Sequence, residues 1–115
     1  MVLKRSASGV LFLLFLMALV PSVASGQTSL TTISGLVTDE TGAVLPGVTV
    51  EASSPALIEK SRVAVTNGQG RYSVVDLRPG TYTVTFTLSG FRTFVREGLQ
   101  VTAGASVPVS VKLSV

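Results

Sequence analysis

Of the side chains that most often act as general acids or bases, this sequence offers only carboxylates: Asp39, Glu40, Glu51, Glu59, Asp76 and Glu97. General acid–base chemistry needs two such groups flanking one bond, and these six are scattered along the chain. Asp39 and Asp76 fall at turns, where a carboxylate ordinarily accepts from backbone N–H groups. The chain has no His and no Cys. Ser-His-Asp and Cys-His arrangements are therefore unavailable, and so are the usual zinc ligand sets. Calcium would have to draw oxygens from Asp39, Asn67 or Asp76, and no close cluster of ligands is spelled out. The expectation is a chain with no catalytic residue, no metal and no bound cofactor.

What remains is surface chemistry. Arg92, Phe94 and Arg96 alternate along a strand-like run, and counting from Phe91 puts Phe94 on the outward parity. An exposed ring between two guanidiniums is a candidate contact for a protein or a glycan. The ordinary alternative is that the aliphatic stems of both arginines cover the ring on the sheet's outer face. Thr81, Thr83, Thr85 and Thr87 form a second outward row, which β-propensity alone explains. Tyr72, Tyr82, Phe86 and Phe91 are expected inside.

The elements that must position these residues are strands. Tyr82, Val84, Phe86 and Leu88 alternate with the threonines, a period of two with one face inward. Tyr72 and Val74 continue the pattern on the other side of Arg78-Pro79-Gly80-Thr81. Pro79 presets φ for the second turn position and Gly80 tolerates a positive φ at the third, so the stretch predicts a hairpin closed by a type II turn. Earlier come Ile33–Asp39, with Ile33, Gly35 and Val37 on one face, and Val48–Ser53, with Val48, Val50 and Ala52 inward. Asp39-Glu40-Thr41-Gly42 and Leu45-Pro46-Gly47 read as turns. Ser54–Ser61 reads as a connection with one helical turn around Ala56 to Lys60. A short strand follows at Arg62–Thr66, carrying Val63 and Val65. Phe91–Val101 is a less regular strand broken by Gly98. The last strand carries Val107, Val109, Val111, Leu113 and Val115 on one face, and Pro108 suits its start or an edge. Seven short strands with Gly and Pro-Gly turns predict an all-β, seven-stranded antiparallel β-sandwich.

The first 26 residues have the three parts of a secretory signal peptide: Lys4 and Arg5, the apolar run Val10–Val20, then Pro21 and small residues up to Gly26. Cleavage is expected after Ala24 or Gly26. The apolar run is shorter than the roughly 20 residues that span a bilayer. Loss of Lys4 and Arg5 leaves seven basic residues against six acidic ones, which gives no footprint for nucleic acid. Gln27–Thr32 reads as a polar lead-in and residues 33–115 as the domain.

Two motifs carry a resemblance. Gly35-x-Val37-x-Asp39-x-x-Gly42-x-x-Leu45-Pro46-Gly47-Val48-x-Val50 and Thr66-x-x-x-Gly70-x-Tyr72-x-Val74-x-x-Leu77-x-Pro79-Gly80-x-Tyr82-x-Val84, closed by Gly90-Phe91, resemble the carboxypeptidase regulatory-like domain. Asn67 stands where that family usually has an acid. The resemblance implies a transthyretin-like sandwich of the carbohydrate-binding-like fold group, used as an accessory module. A leader followed directly by this domain is similar to the N-terminus of bacterial TonB-dependent outer-membrane receptors. A barrel of eight or more strands of about ten residues does not fit in the residues present. The chain is thus expected to be a standalone exported module or the N-terminal piece of a longer receptor. The expected function is a non-catalytic structural or interaction module of the cell envelope, in the periplasm, at the outer membrane or secreted. Its partner would be another envelope protein or a C-terminal receptor region. The alternative is a carbohydrate-binding module with Phe94 as its platform.

Overall fold

A computed structural model describes residues 29–115, which form two packed four-stranded sheets with no helix. The expected leader, residues 1–26, lies outside the described residues. Eight strands follow in order: β1 Thr31–Asp39, β2 Thr49–Ser53, β3 Ser61–Val65, β4 Arg71–Leu77, β5 Gly80–Thr87, β6 Phe94–Val101, β7 Ser106–Pro108 and β8 Val111–Leu113. One sheet runs β3-β2-β5-β6 and is antiparallel throughout. In the other, β1 pairs antiparallel with β4 on one side and parallel with β7 and β8 on the other.

The alternating positions behave as their period requires. Val50, Ala52, Tyr82, Val84 and Phe86 from one sheet meet Ile33, Val37, Tyr72, Val74, Leu77, Val111 and Leu113 from the other, all buried. The Tyr72 and Phe86 rings join the layers edge to face, with centroids 5.6 Å apart, a geometry favoured by the ring quadrupoles.

Four expectations need correction. The last strand is two, which makes eight strands rather than seven. Thr32 to Ser34 pair with Ser106 to Pro108, and Val37 to Asp39 pair with Val111 to Leu113, in one continuous register. The ladder breaks between them, where the Leu36 N–H bonds the Ser110 hydroxyl instead of a backbone carbonyl. Thr31 and Thr32, expected in the lead-in, already belong to the first strand. β1 begins at Thr31, which is buried and donates its hydroxyl to the Thr102 carbonyl at 2.6 Å.

The stretch from Tyr72 to Leu88 is not a hairpin. β4 and β5 lie in opposite sheets, so the Arg78-Pro79-Gly80 segment crosses from one layer to the other. The left-handed residue is Asp76 (φ 58°), and Gly80 is not among the positive-φ positions, so no type II turn forms there. The corner is held by the Tyr82 hydroxyl, which donates to the Arg78 carbonyl at 2.7 Å. At Leu45-Pro46-Gly47, by contrast, Gly47 has φ 80°, as the Pro-Gly turn logic requires. Finally, Ser54–Lys60 forms successive turns without a helix. Leu57 plugs into the core from them and Lys60 takes φ 67°.

Candidate functional site

The carboxylates sit where turns and ion pairs use them. Asp39 Oδ1 accepts from the Thr41 hydroxyl (2.6 Å), the Thr41 N–H (2.8 Å) and the Ala43 N–H (3.0 Å). These bonds, the Thr41 hydroxyl foremost, hold its carboxyl below the ordinary aspartate value. The Asn67 side-chain oxygen caps the next turn in the same way, accepting from Gln69 and Arg71 N–H groups at 3.0 Å each. Glu59 is also held low, first by its own backbone N–H and then by Arg62, with which it pairs at 2.5 Å. Among the described residues no group of three or more acidic side chains could hold a metal ion.

Arg62 does more than pair. Its guanidinium donates to the Val75 and Asp76 carbonyls, both at 2.8 Å. It thereby ties edge strand β3 to edge strand β4 and satisfies carbonyls that would otherwise be open to a foreign strand. Among the described residues, no arginine clamps the edge of β6, the other margin of the same sheet, in this way.

The three sequence-selected contact residues lie at that open margin. Phe94 pairs with Phe86 and Arg96 with Val84, so both sit on the inward parity of their sheet, not the outward one. The register resets because residues 91–93 are not strand: the Phe91 N–H bonds the Leu88 carbonyl and the Arg92 N–H bonds the Ser114 carbonyl. Phe94 meets Phe86 edge to face at 6.0 Å yet keeps 37% exposure. Phe86 lies against one side of its ring. Arg92 and Arg96 are exposed beside it.

Sequence reasoning missed the outward face of the β3-β2-β5-β6 sheet. Val63 and Val65, to which the sequence reading assigns no facing, are 55% and 58% exposed, and Val95 is 48% exposed. The cross-strand pairs Val63–Glu51, Glu51–Thr85 and Thr85–Val95 make one straight row across all four strands. Val65, Thr49 and Thr87 make a second. Side chains directly opposite in such a ladder touch on one face. The result is a broad β-surface of threonine and valine with the Glu51 carboxylate in its middle. The presence of two valines in a five-residue edge strand whose other face carries only Arg62 and Ala64 is the signal that could have revealed it.

Comparison with known proteins adds four likenesses. The family model for the carboxypeptidase regulatory-like domain matches residues 32–114. The TonB-dependent transporter Oar of Myxococcus xanthus is 34% identical over 93 residues, which is 80% of this chain and 8% of the transporter. Among solved structures, the Bacillus anthracis TIE protein superposes with a TM-score of 0.63 at 20% identity, over 75% of this chain and 16% of that one. A type II cohesin–X-dockerin complex from Acetivibrio cellulolyticus gives 0.58 at 27% identity, over 72% and 56%.

Proposed function

This chain belongs to the carboxypeptidase regulatory-like domain family, and from that premise we propose that it is a non-catalytic interaction module of the bacterial envelope. Its signal peptide, residues 1–26, delivers it past the cytoplasmic membrane, and the domain proper then works in the periplasm or at the outer membrane. Its partner is the body of a TonB-dependent transporter, whether on a separate polypeptide or on a longer form of this one. The transporter it matches is far longer than this chain, which spans 8% of its length, and a cohesin–X-dockerin assembly is among its structural neighbours. Both support an accessory role beside another protein.

The observation that carries this reading is the row Val63–Glu51–Thr85–Val95, which leaves apolar side chains in water on the face of the sheet turned away from the core. Single exposed valines need no explanation, but valines at both margins of one flat face suit a contact surface. Phe94 and Arg96, with Arg92 nearby, extend it around the unclamped β6 edge, where an aromatic and guanidiniums favour protein contact. The test is co-isolation of the intact protein with an outer-membrane transporter from envelope fractions. Val63→Glu and Val95→Glu should abolish co-isolation and leave the melting temperature within a few degrees, since neither side chain is in the core. Co-isolation that survives both substitutions would sink the proposal.

A further inference from the structure

Two turns at the same end of the sandwich, residues 39–43 and 67–71, are built on one plan. In each, the side-chain oxygen of the first residue, Asp39 or Asn67, accepts from the N–H groups two and four residues on. In each, the first residue's N–H donates to the fifth residue's carbonyl, and its own carbonyl accepts from the fourth residue's N–H. That fourth residue is a glycine at positive φ, 91° at Gly42 and 74° at Gly70. At the capping position the turns differ in one chemical respect: Asp39 brings a carboxylate and Asn67 a neutral carboxamide.

Asn67 is the only asparagine in the sequence, and a glycine follows it. Both residues are exposed. Among the described residues the Gly68 N–H has no hydrogen-bond partner, so its nitrogen is free to react. A Cβ on Gly68 would meet nothing, and its φ is not positive. The fold therefore does not require glycine at this position, while the missing side chain leaves the nitrogen unshielded. The Gln69 and Arg71 N–H groups, each 3.0 Å from Asn67 Oδ1, hold the carboxamide against the turn. They also stand where negative charge develops when the carboxamide carbon is attacked.

We propose that Asn67 is a self-modification site, which converts to aspartate through a succinimide formed with Gly68. The Gly68 nitrogen gives its proton to hydroxide and attacks Asn67 Cγ. The bond from Cγ to Nδ2 breaks, and Nδ2 takes a proton from water and leaves as ammonia. Water then opens the ring. Cleavage of the new bond between Cγ and the Gly68 nitrogen gives aspartate at position 67 on an unchanged backbone. Cleavage at the Asn67 carbonyl carbon gives isoaspartate. The net change is water consumed and ammonia released, with no oxidant or cofactor. Aspartate keeps every bond of the turn and makes those to its side chain charge-assisted, as Asp39 does in the twin turn. Isoaspartate lengthens the backbone between the Asn67 N–H and the Arg71 carbonyl, so the folded turn favours the aspartate product. None of this depends on the protein partner proposed above.

The test is incubation of the intact folded protein at mildly alkaline pH, followed by peptide mass spectrometry and ion exchange. The peptide that holds Asn67 is expected to gain the mass of amide-to-acid conversion, and the protein to elute as a more acidic species. Gly68→Ala should slow the conversion several-fold without moving the melting temperature, because a methyl group there has open space. Asn67→Asp should melt no lower than the parent protein. The proposal is overturned if the folded protein stays unconverted under conditions in which a urea-unfolded sample converts, since the turn would then shield the site. It is equally overturned if Gly68→Ala converts as fast as the parent, or if Asn67→Asp melts clearly below it.

Discussion

The Val109 carbonyl oxygen lies 1.9 Å from the point where a Cβ on Gly35 would stand. The Tyr72 hydroxyl donates to that same oxygen at 2.5 Å, and the Val109 N–H donates to the Ser34 carbonyl at 2.8 Å. The backbone of Val109, between β7 and β8, is thus seated directly on the middle of β1. Gly35 has no positive φ, so what this position requires is the absence of a side chain rather than backbone freedom.

Gly35→Ala is therefore expected to be among the most damaging small substitutions in the domain. Because the obstacle is backbone and not the end of a side chain, relaxation would have to separate β1 from the terminal strand. The loss should exceed about 2 kcal/mol, or a fall of roughly 8 °C or more in melting temperature for a domain of this size. A thermal melt of the purified variant checks it, and an unchanged melting temperature would mean that the terminal strand does not sit where it is described.

Gly80 is constrained by a neighbour as well. A Cβ there would stand 2.8 Å from the Ala56 Cβ. Gly80→Val should cost about 1–3 kcal/mol by overpacking, and Ala56→Gly should restore part of that loss. A turn requiring positive φ at Gly80 would give no such rescue, so the coupling in a double-mutant cycle separates the two causes.

Tyr72 supplies a pH-dependent prediction. Burial pushes its hydroxyl up to about 12 from an ordinary value near 10, and burial raises Tyr82 in the same direction. The folded state therefore holds its phenolic protons more tightly than the unfolded state. Stability from this source is complete below about pH 10 and declines as pH climbs toward 12, because the unfolded chain ionises first. Tyr72→Phe should flatten that alkaline decline. It should also lower stability at neutral pH by about 1 kcal/mol, from the loss of the bond to the Val109 carbonyl. Urea unfolding midpoints at pH 7 and across the alkaline range measure both effects.

Much of this architecture could be read from the chain alone, for a physical reason. Alternation reports which way a side chain faces, and Tyr82, Val84 and Phe86 face inward as their spacing requires. Alternation does not report which strand lies alongside. β4 and β5 are consecutive and in phase yet belong to opposite sheets, because Asp76 and the Tyr82–Arg78 bond turn the chain across the sandwich. Phe94 shows the same limit: parity carried from Phe91 fails there, because residues 91–93 are not strand. Val63 and Val65 look like core because they are valines, but an edge strand can turn its larger residues outward when the inner position needs only Ala64. Cross-strand neighbours were out of reach altogether. Ser53 and Thr83 are thirty residues apart and meet only through β2–β5 pairing.

The valine face is the surface proposed to meet a transporter. Site-specific photo-crosslinking in living cells addresses it directly, with the probe placed at Val95 on that face and at Ser73, exposed on the opposite sheet. The prediction is a discrete adduct from Val95 that mass spectrometry identifies as a TonB-dependent transporter polypeptide, and none from Ser73. No transporter adduct from Val95, or an equal yield from both positions, would contradict it.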